Sequence, residues 1–225
     1  MLNIYKYYDD AKSLNGIENY KHQLLSTGDA PKLSRFAIDV LRERWPDAEP
    51  IIMKHPYRAL FYARDVIKGR WKEAEPYIMT DSELAFLYAR DVIKGRWPEA
   101  EPYIMKDTHD TYRYARWVIK GRWPEAEKYI MKNPLWAIVY AEITIKGRWP
   151  EAEHYIMKKA SHSVVYARTI LKARWPEAES IIMESPNDAY EYARDIIKGR
   201  WPEAEKYIIK SKAVWKRYTN EFGIE

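Results

Sequence analysis

One residue type recurs with a fixed period along this chain. Tryptophan occupies seven positions that are each 26 residues apart, namely Trp45, Trp71, Trp97, Trp123, Trp149, Trp175 and Trp201. The octapeptide KGRWPEAE surrounds four of them without change, and near copies surround the other three. A period of this length indicates a repeat architecture, in which each unit packs mainly against its neighbours. We number positions within a repeat from its tryptophan, which is position 0.

The first half of each repeat has the pattern of an amphipathic helix. Position −16 is commonly a helix-capping residue, as in Asp29, Asp81, Asp107, Asn133 and Ser185. An aromatic residue at −9, alanine at −8 and aliphatic residues at −5 and −4 follow helical spacing, not strand alternation. Small residues at −12 and −8 predict close packing against the next repeat. Glycine at −2 in five repeats predicts a left-handed residue that ends this helix.

The second half predicts a shorter helix. Proline at +1 is favoured in the first turn, and glutamate at +2 and +4 complements the positive end of the helix dipole. Alanine at +3, isoleucine at +7 and methionine at +8 form its apolar stripe. We expect the tryptophan to lie between the two helices and the next repeat, and the arginine at −1 to pair with a glutamate at +2 or +4.

These patterns predict an all-α fold, an α-solenoid of two-helix repeats in a single continuous domain. Residues 1–28 lack the motif and are predicted to form an N-terminal cap, residues 29–210 hold the seven repeats, and residues 211–225 form a C-terminal capping helix. Tyr218 in that last segment has the phase of position −9. Atypical end units of this kind cover the apolar faces of a stack.

The motif YARDVIKGRWPEAE, residues 88–101, resembles short repeats of uncharacterised phage and bacterial proteins. The resemblance covers roughly residues 29–210. It implies an α-helical array of viral origin. It brings no known active site with it.

Composition excludes several classes of function. The chain has no cysteine, which removes disulfides and zinc sites built on sulfur. No apolar run approaches the roughly 18 residues that span a bilayer, so we expect a cytoplasmic protein without a membrane partner. The five histidines share no metal-ligand spacing, and the recurring glutamates serve helix ends in every repeat, whereas an active site would be singular. We therefore expect no enzyme, no metal and no cofactor.

Function is expected where the copies diverge. Positions −13, −10 and −6 lie on one side of the first helix, and −6 is aspartate in four repeats but Trp117, Ile143 and Thr169 in three successive ones. The predicted protein-binding residues are Trp117, Trp136, Val139, Ile143, Arg113, His162 and Val165. Leu135, His109 and Tyr57, at −14, extend this surface. Packing of these residues inside the stack is the alternative interpretation.

The resulting functional hypothesis is a non-enzymatic, protein-binding repeat scaffold. If the phage resemblance is real, the partner is a host protein that the chain inhibits or sequesters in the host cytoplasm. Two alternatives remain. One is nucleic-acid binding, in which lysine at −3 and arginine at −1 contact phosphates, and the net charge of +5 agrees weakly with it. The other is a structural protein that associates with itself through the same surface.

Overall fold

The computed structural model describes residues 14–224, and over these residues every regular element is helical. Part of the predicted N-terminal cap, residues 1–13, lies outside the described residues. Contacts between residues divide the chain into two compact units, with the boundary between Asp110 and Thr111. None of the described helices is long and apolar enough to cross a membrane.

Every repeat contains the two predicted helices, and the first of them ends in a π-helical turn. The first unit contains α1 (Leu14–Ser26), α2 (Ala30–Phe36), π1 (Ala37–Leu41), α3 (Glu49–Ile52), α4 (Pro56–Tyr62), π2 (Ala63–Ile67), α5 (Glu75–Ile78), α6 (Ser82–Tyr88), π3 (Ala89–Ile93) and α7 (Glu101–Ile104). Helix α8 (Thr108–Tyr114) spans the boundary. The second unit continues with π4 (Ala115–Ile119), α9 (Pro124–Ile130), α10 (Pro134–Tyr140), π5 (Ala141–Ile145), α11 (Pro150–Ile156), α12 (Ala160–Tyr166), π6 (Ala167–Leu171), α13 (Pro176–Met183), α14 (Pro186–Tyr192), π7 (Ala193–Ile197), α15 (Pro202–Ile208) and α16 (Lys212–Phe222).

The start of the first helix follows the sequence prediction. The side chain of Asp81 accepts the backbone N–H of Leu84 at 2.9 Å, and Asp29 accepts that of Lys32 at 3.0 Å. Such bonds satisfy one of the four donors that a helix N-terminus leaves free. The residues at −16 in repeats 2 and 6, His55 and Lys159, make no side-chain capping bond.

The end of the first helix differs from the prediction. The left-handed residue is the lysine at −3, with φ of 58° at Lys94 and 60° at Lys120, whereas Gly95 has no positive φ. The N–H of Lys94 donates to the carbonyl of Ala89, five residues back, and the N–H of Gly95 donates to the same carbonyl at 3.2 Å. The π turn therefore brings the chain reversal forward by one residue. Ala173 occupies the glycine position in repeat 6, in agreement with an ordinary backbone there.

The start of the second helix divides the repeats into two groups. In repeats 4 to 7 this helix begins at the predicted proline at +1, as Pro124 does in α9, but in repeats 1 to 3 it begins at the glutamate at +4. Repeats 1 to 3 carry proline at +5, and repeats 4 to 7 carry another residue there. Proline has no N–H, so Pro50, Pro76 and Pro102 cannot donate an i→i−4 bond to the carbonyl at +1.

Consecutive repeats pack through the small residues of the first helix. Ala59, Ala63, Ala85 and Ala89 are completely buried, and α4 contacts α6. In the second unit Ala137 and Ser163 are buried in the same way, and α10 contacts α12. The small side chains thus allow the close approach that the sequence pattern predicts.

Within each unit, a buried hydrogen-bond cluster joins consecutive repeats. The hydroxyl of Tyr140 accepts the backbone N–H of Trp123 at 2.7 Å and donates to Glu127 at 3.1 Å. Glu127, which is 8 % exposed, also accepts two bonds from Arg122 at 2.8 and 2.7 Å. The predicted pairing of arginine at −1 is therefore confirmed for the glutamate at +4. The tyrosine that completes the cluster comes from the following repeat.

The same cluster recurs through both units. Its tyrosines are Tyr62 and Tyr88 in the first unit and Tyr140, Tyr166, Tyr192 and Tyr218 in the second. The tryptophan ring at position 0 is buried in all seven repeats, and Trp149 packs 5.2 Å from the ring of Tyr140 in its own repeat. The predicted position of the tryptophan between its own helices and the next repeat is thereby confirmed.

The ends use the same contacts with single changes. Tyr218 of α16 supplies the hydroxyl that binds the N–H of Trp201 at 2.6 Å, so this helix completes the last repeat as predicted. Repeat 1 carries Phe36 at −9, and position 19 holds asparagine where a preceding tryptophan would lie. Residue 19 lies inside α1, where its backbone N–H serves the helix, so a hydroxyl at residue 36 would lack this partner. Tyr20 of α1 packs 5.0 Å from the Phe36 ring and covers this end.

Candidate protein-binding surface

The seven predicted binding residues all lie in the second unit, on the first helices of repeats 4, 5 and 6. Trp117 is 52 % exposed and Ile143 is 37 % exposed. Arg113, Trp136, Val139, His162 and Val165 are half-buried. The most exposed apolar residue of position −14 is Leu135, at 59 %, and Tyr57 of the first unit is 54 % exposed. Trp117 and Ile143 at −6 thus face solvent, whereas the predicted residues at −13 and −10 are half-buried.

Trp136 owes its half-burial to an aromatic neighbour. Its ring stacks on that of Tyr112, with centroids 5.1 Å apart and planes 22° from parallel. Tyr112 is itself 5 % exposed. Stacked aromatic pairs stabilise a fold beyond the area that they bury. Trp136 thus contributes to the packing of repeats 4 and 5 as well as to their surface, and Trp117 is the cleaner probe of the surface alone.

In repeats 2, 3 and 7, positions −7 and −6 form an ion pair. Arg90 donates two bonds to Asp91, at 2.6 and 2.8 Å, and Arg194 pairs with Asp195 at 2.6 Å. The neighbouring guanidinium holds the pKa of Asp91 below its usual value, because it stabilises the ionised carboxyl. Where arginine at −7 adjoins aspartate at −6, this row thus carries paired charges of opposite sign.

The centre of the second unit breaks that pattern. Arg116 donates to the hydroxyl of Tyr112 at 2.7 Å and lies 4.8 Å from the ring of Trp117. One repeat further on, −7 and −6 hold Glu142 and Ile143, both exposed. We call Arg116, Trp117, Glu142 and Ile143 the central surface. It combines one cation, one anion and two exposed apolar side chains on the π turns.

His162 lies at the base of this region. It is half-buried, and burial lowers the pKa of its imidazole, with a further lowering by Lys159 and an opposing effect of Asp188. The imidazole is therefore neutral at physiological pH. As a half-buried neutral ring on α12, it is part of the packing of repeat 6.

The arginines at −1 are not free for an anionic ligand. Arg148 donates to Glu153 at 2.7 and 2.9 Å, and its guanidinium also lies 3.9 Å from Glu177 of the next repeat. A glutamate at +4 binds the corresponding arginine in all seven repeats. Of the two basic rows proposed to contact phosphates, only the lysines at −3 are exposed without such a pairing.

The sequence patterns did not reveal one cluster of possible metal ligands. Asp107, His109 and Asp110 each place a potential ligand atom within 4.8 Å of the others. Asp107 caps α8 by accepting the N–H of Asp110 at 2.9 Å, and Asp110 accepts the hydroxyl of Ser82 at 2.8 Å. The signal was the run Asp-Thr-His-Asp at a helix start. These bonds give both acids a structural role in the first unit.

A shallow hollow of about 440 Å³ lies beside the turn of repeat 6. Its charged walls are Arg148, Arg174 and Glu177, and Arg174 is already bound to Glu179 at 2.8 Å. Small-ligand sites are concave and hold a few convergent polar groups. The arginines of this hollow point instead to glutamates of their own repeats.

No protein family, curated protein or solved structure matches this chain. The assignment of function therefore depends on the central surface itself.

Proposed function

We propose that this chain is a non-enzymatic, protein-binding repeat scaffold that acts in the cytoplasm and binds its partner through the central surface. The observation that carries the proposal is Trp117, which is 52 % exposed at a position where four other repeats have aspartate. The scaffold does not require an apolar residue there. Exposed apolar side chains grouped on one face are typical of interaction sites, and tryptophan and arginine are frequent anchors.

The class of partner is a separate proposal. The resemblance to phage and bacterial repeats would imply a host protein that the chain inhibits or sequesters. Nucleic-acid binding is the alternative, and it loses support because arginine at −1 is bound by glutamate in every repeat. At near-physiological salt we expect no shift of RNA or DNA in an electrophoretic assay. A strong shift that falls steeply with salt would favour the alternative.

Site-specific photo-cross-linking tests the proposal directly. A benzophenone amino acid replaces Trp117 in one variant and Ile143 in a second, and the matched control replaces Asp195, which holds position −6 in repeat 7. We expect cross-links to protein from the two central positions and none from residue 195. Equal products from all three positions, or none from any, would refute a specific surface.

A reversion variant separates binding from folding. Trp117→Asp restores the residue of the other repeats and offers Arg116 a carboxylate like that of Asp91 beside Arg90. We expect the melting temperature to stay within a few degrees and the cross-linked partner to be lost. Unfolding of this variant would show that the ring belongs to the core. Normal binding by this variant would show that the partner binds a different surface of the chain.

A further inference from the structure

Among residues 14–224, neither charge of the central surface has an oppositely charged partner. Arg116 has only the Tyr112 hydroxyl and the Trp117 ring as partners among the described residues. Glu142 is exposed and forms no ion pair or hydrogen bond with any side chain that the structure describes. Elsewhere in the same row, Arg64, Arg90 and Arg194 each bind the adjacent aspartate.

The neighbouring repeat offers Arg116 no carboxylate either. Arg168 shows where a −7 arginine reaches across repeats, because it binds Asp195, the −6 residue of the next repeat, at 3.0 Å. The corresponding residue for Arg116 is Ile143. Both −6 side chains within reach of Arg116, its own Trp117 and the next Ile143, are apolar. The two −6 positions next to Arg116 therefore provide it with no carboxylate.

The four residues are arranged as a self-complementary set. Arg116 and Glu142 hold the same position in successive repeats, and so do Trp117 and Ile143. The stacking of Trp136 on Tyr112 shows that the first helices of these two repeats are in contact. A two-fold axis between π4 and π5 would exchange the two positions. It would set Arg116 of one copy against Glu142 of the other twice, and bring Trp117 towards Ile143.

We infer that the protein bound at the central surface is a second copy of this chain, in an isologous dimer. The inference rests on the proposed function, since it names the partner of the same surface. In an isologous interface the same patch serves both copies, so each cation must meet the anion of its own patch on the partner. A surface with one unpaired cation and one unpaired anion, each beside an exposed apolar residue, meets that requirement. A uniformly acidic partner would leave Glu142 opposed by like charge.

Charge reversal with rescue tests this pairing. Sedimentation velocity of the full chain is measured over a range of concentrations for wild type, Arg116→Glu, Glu142→Arg and the double variant. The buffer has physiological ionic strength, because residues 111–225 hold 21 Lys and Arg against 15 Asp and Glu, and this net charge of +6 would repel a second copy at low salt. Lys212→Glu is the control, since it makes the same change of charge at an exposed position on α16.

We expect wild type and Lys212→Glu to dimerise alike. Each single reversal places like charges opposite each other and should raise the dissociation constant about 10-fold or more. The double variant restores opposite charges in both pairs and should recover most of the affinity. Circular dichroism confirms that each variant is folded. In purified protein, the benzophenone variant at residue 117 should give a product of twice 26.9 kDa.

The inference is overturned if wild type sediments as a monomer at every concentration, or if the single reversals leave the dimer unchanged. It is also overturned if both reversals weaken the dimer and the double variant does not recover it. If the protein is a monomer and cross-links to another protein from residues 117 and 143 but not from residue 195, the dimer is refuted and the proposed function stands. A monomer without position-specific cross-links refutes both.

Discussion

Removing one hydroxyl from the cluster between repeats should have a large effect on stability. Tyr140→Phe keeps the ring that packs against Trp149 but deletes the atom that accepts the N–H of Trp123 and donates to Glu127. The N–H of Trp123 is then left buried without an acceptor, which costs about 1–3 kcal/mol. Loss of the bond to the carboxylate adds about 1.5–3 kcal/mol, partly offset because Arg122 still holds Glu127. We expect a loss of about 2–4 kcal/mol in the free energy of unfolding.

The measurement is urea denaturation followed by circular dichroism, with Tyr129→Phe as the matched control. Tyr129 is half-exposed, and its hydroxyl makes no hydrogen bond with the described residues, so its loss should change stability by less than about 0.5 kcal/mol. A double-mutant cycle with Glu127→Gln should give a coupling of about 0.5–3 kcal/mol. If Tyr140→Phe and Tyr129→Phe prove equally stable, the hydroxyl does not join the repeats. An unchanged hydrogen-exchange rate at the Trp123 amide would contradict the cluster as well.

Three further predictions follow from individual contacts. The bonds from Arg200 and Tyr218 lower the pKa of Glu205. The ionised carboxylate therefore stabilises the fold above the ordinary glutamate pKa of about 4.3, and this stabilisation is lost as the pH falls below that value. Glu205→Gln should flatten acid unfolding curves in that range. Gly95→Ala should change stability by less than about 1 kcal/mol, because an added Cβ meets no atom within 4 Å, whereas Lys94→Val at a φ of 58° should cost more than that in thermal melts. Trp123→Ala should cost about 3–5 kcal/mol and Trp123→Phe clearly less, since the buried indole N–H makes no hydrogen bond; equal losses in chemical denaturation would contradict this.

Much of the fold could be predicted from local patterns in the sequence. The capping residues at −16 act within one helix. The periodic tryptophan and the small residues at −12 and −8 act between neighbouring repeats with nearly the same sequence. Repetition makes such signals readable, because a side chain that recurs in every copy must serve a contact that recurs too. The pairing of arginine at −1 with a glutamate followed from the same reasoning and is confirmed.

Other features depend on atoms that only the folded chain brings together. The tyrosine at −9 looked like one more apolar residue, and its hydroxyl acquires two partners only when the preceding repeat stacks on it. The left-handed residue is Lys94 and not Gly95, because the π turn directs two N–H groups to the carbonyl of Ala89 and reverses the chain one residue early. The helix that contains Pro102 begins later than predicted. Proline has no N–H, so one backbone hydrogen bond of the predicted first turn cannot form.

The candidate site divides in the same way. Sequence divergence alone identified Trp117, Ile143 and their neighbours as residues that the scaffold does not require. It did not predict that Trp136 stacks on Tyr112 or that Arg116 lacks a carboxylate, since both depend on which side chains adjoin across successive repeats. A sequence can thus show where a repeat departs from its copies. Only the packed structure decides which of those departures reach solvent, because exposure and pairing belong to the neighbours of a residue as much as to the residue itself.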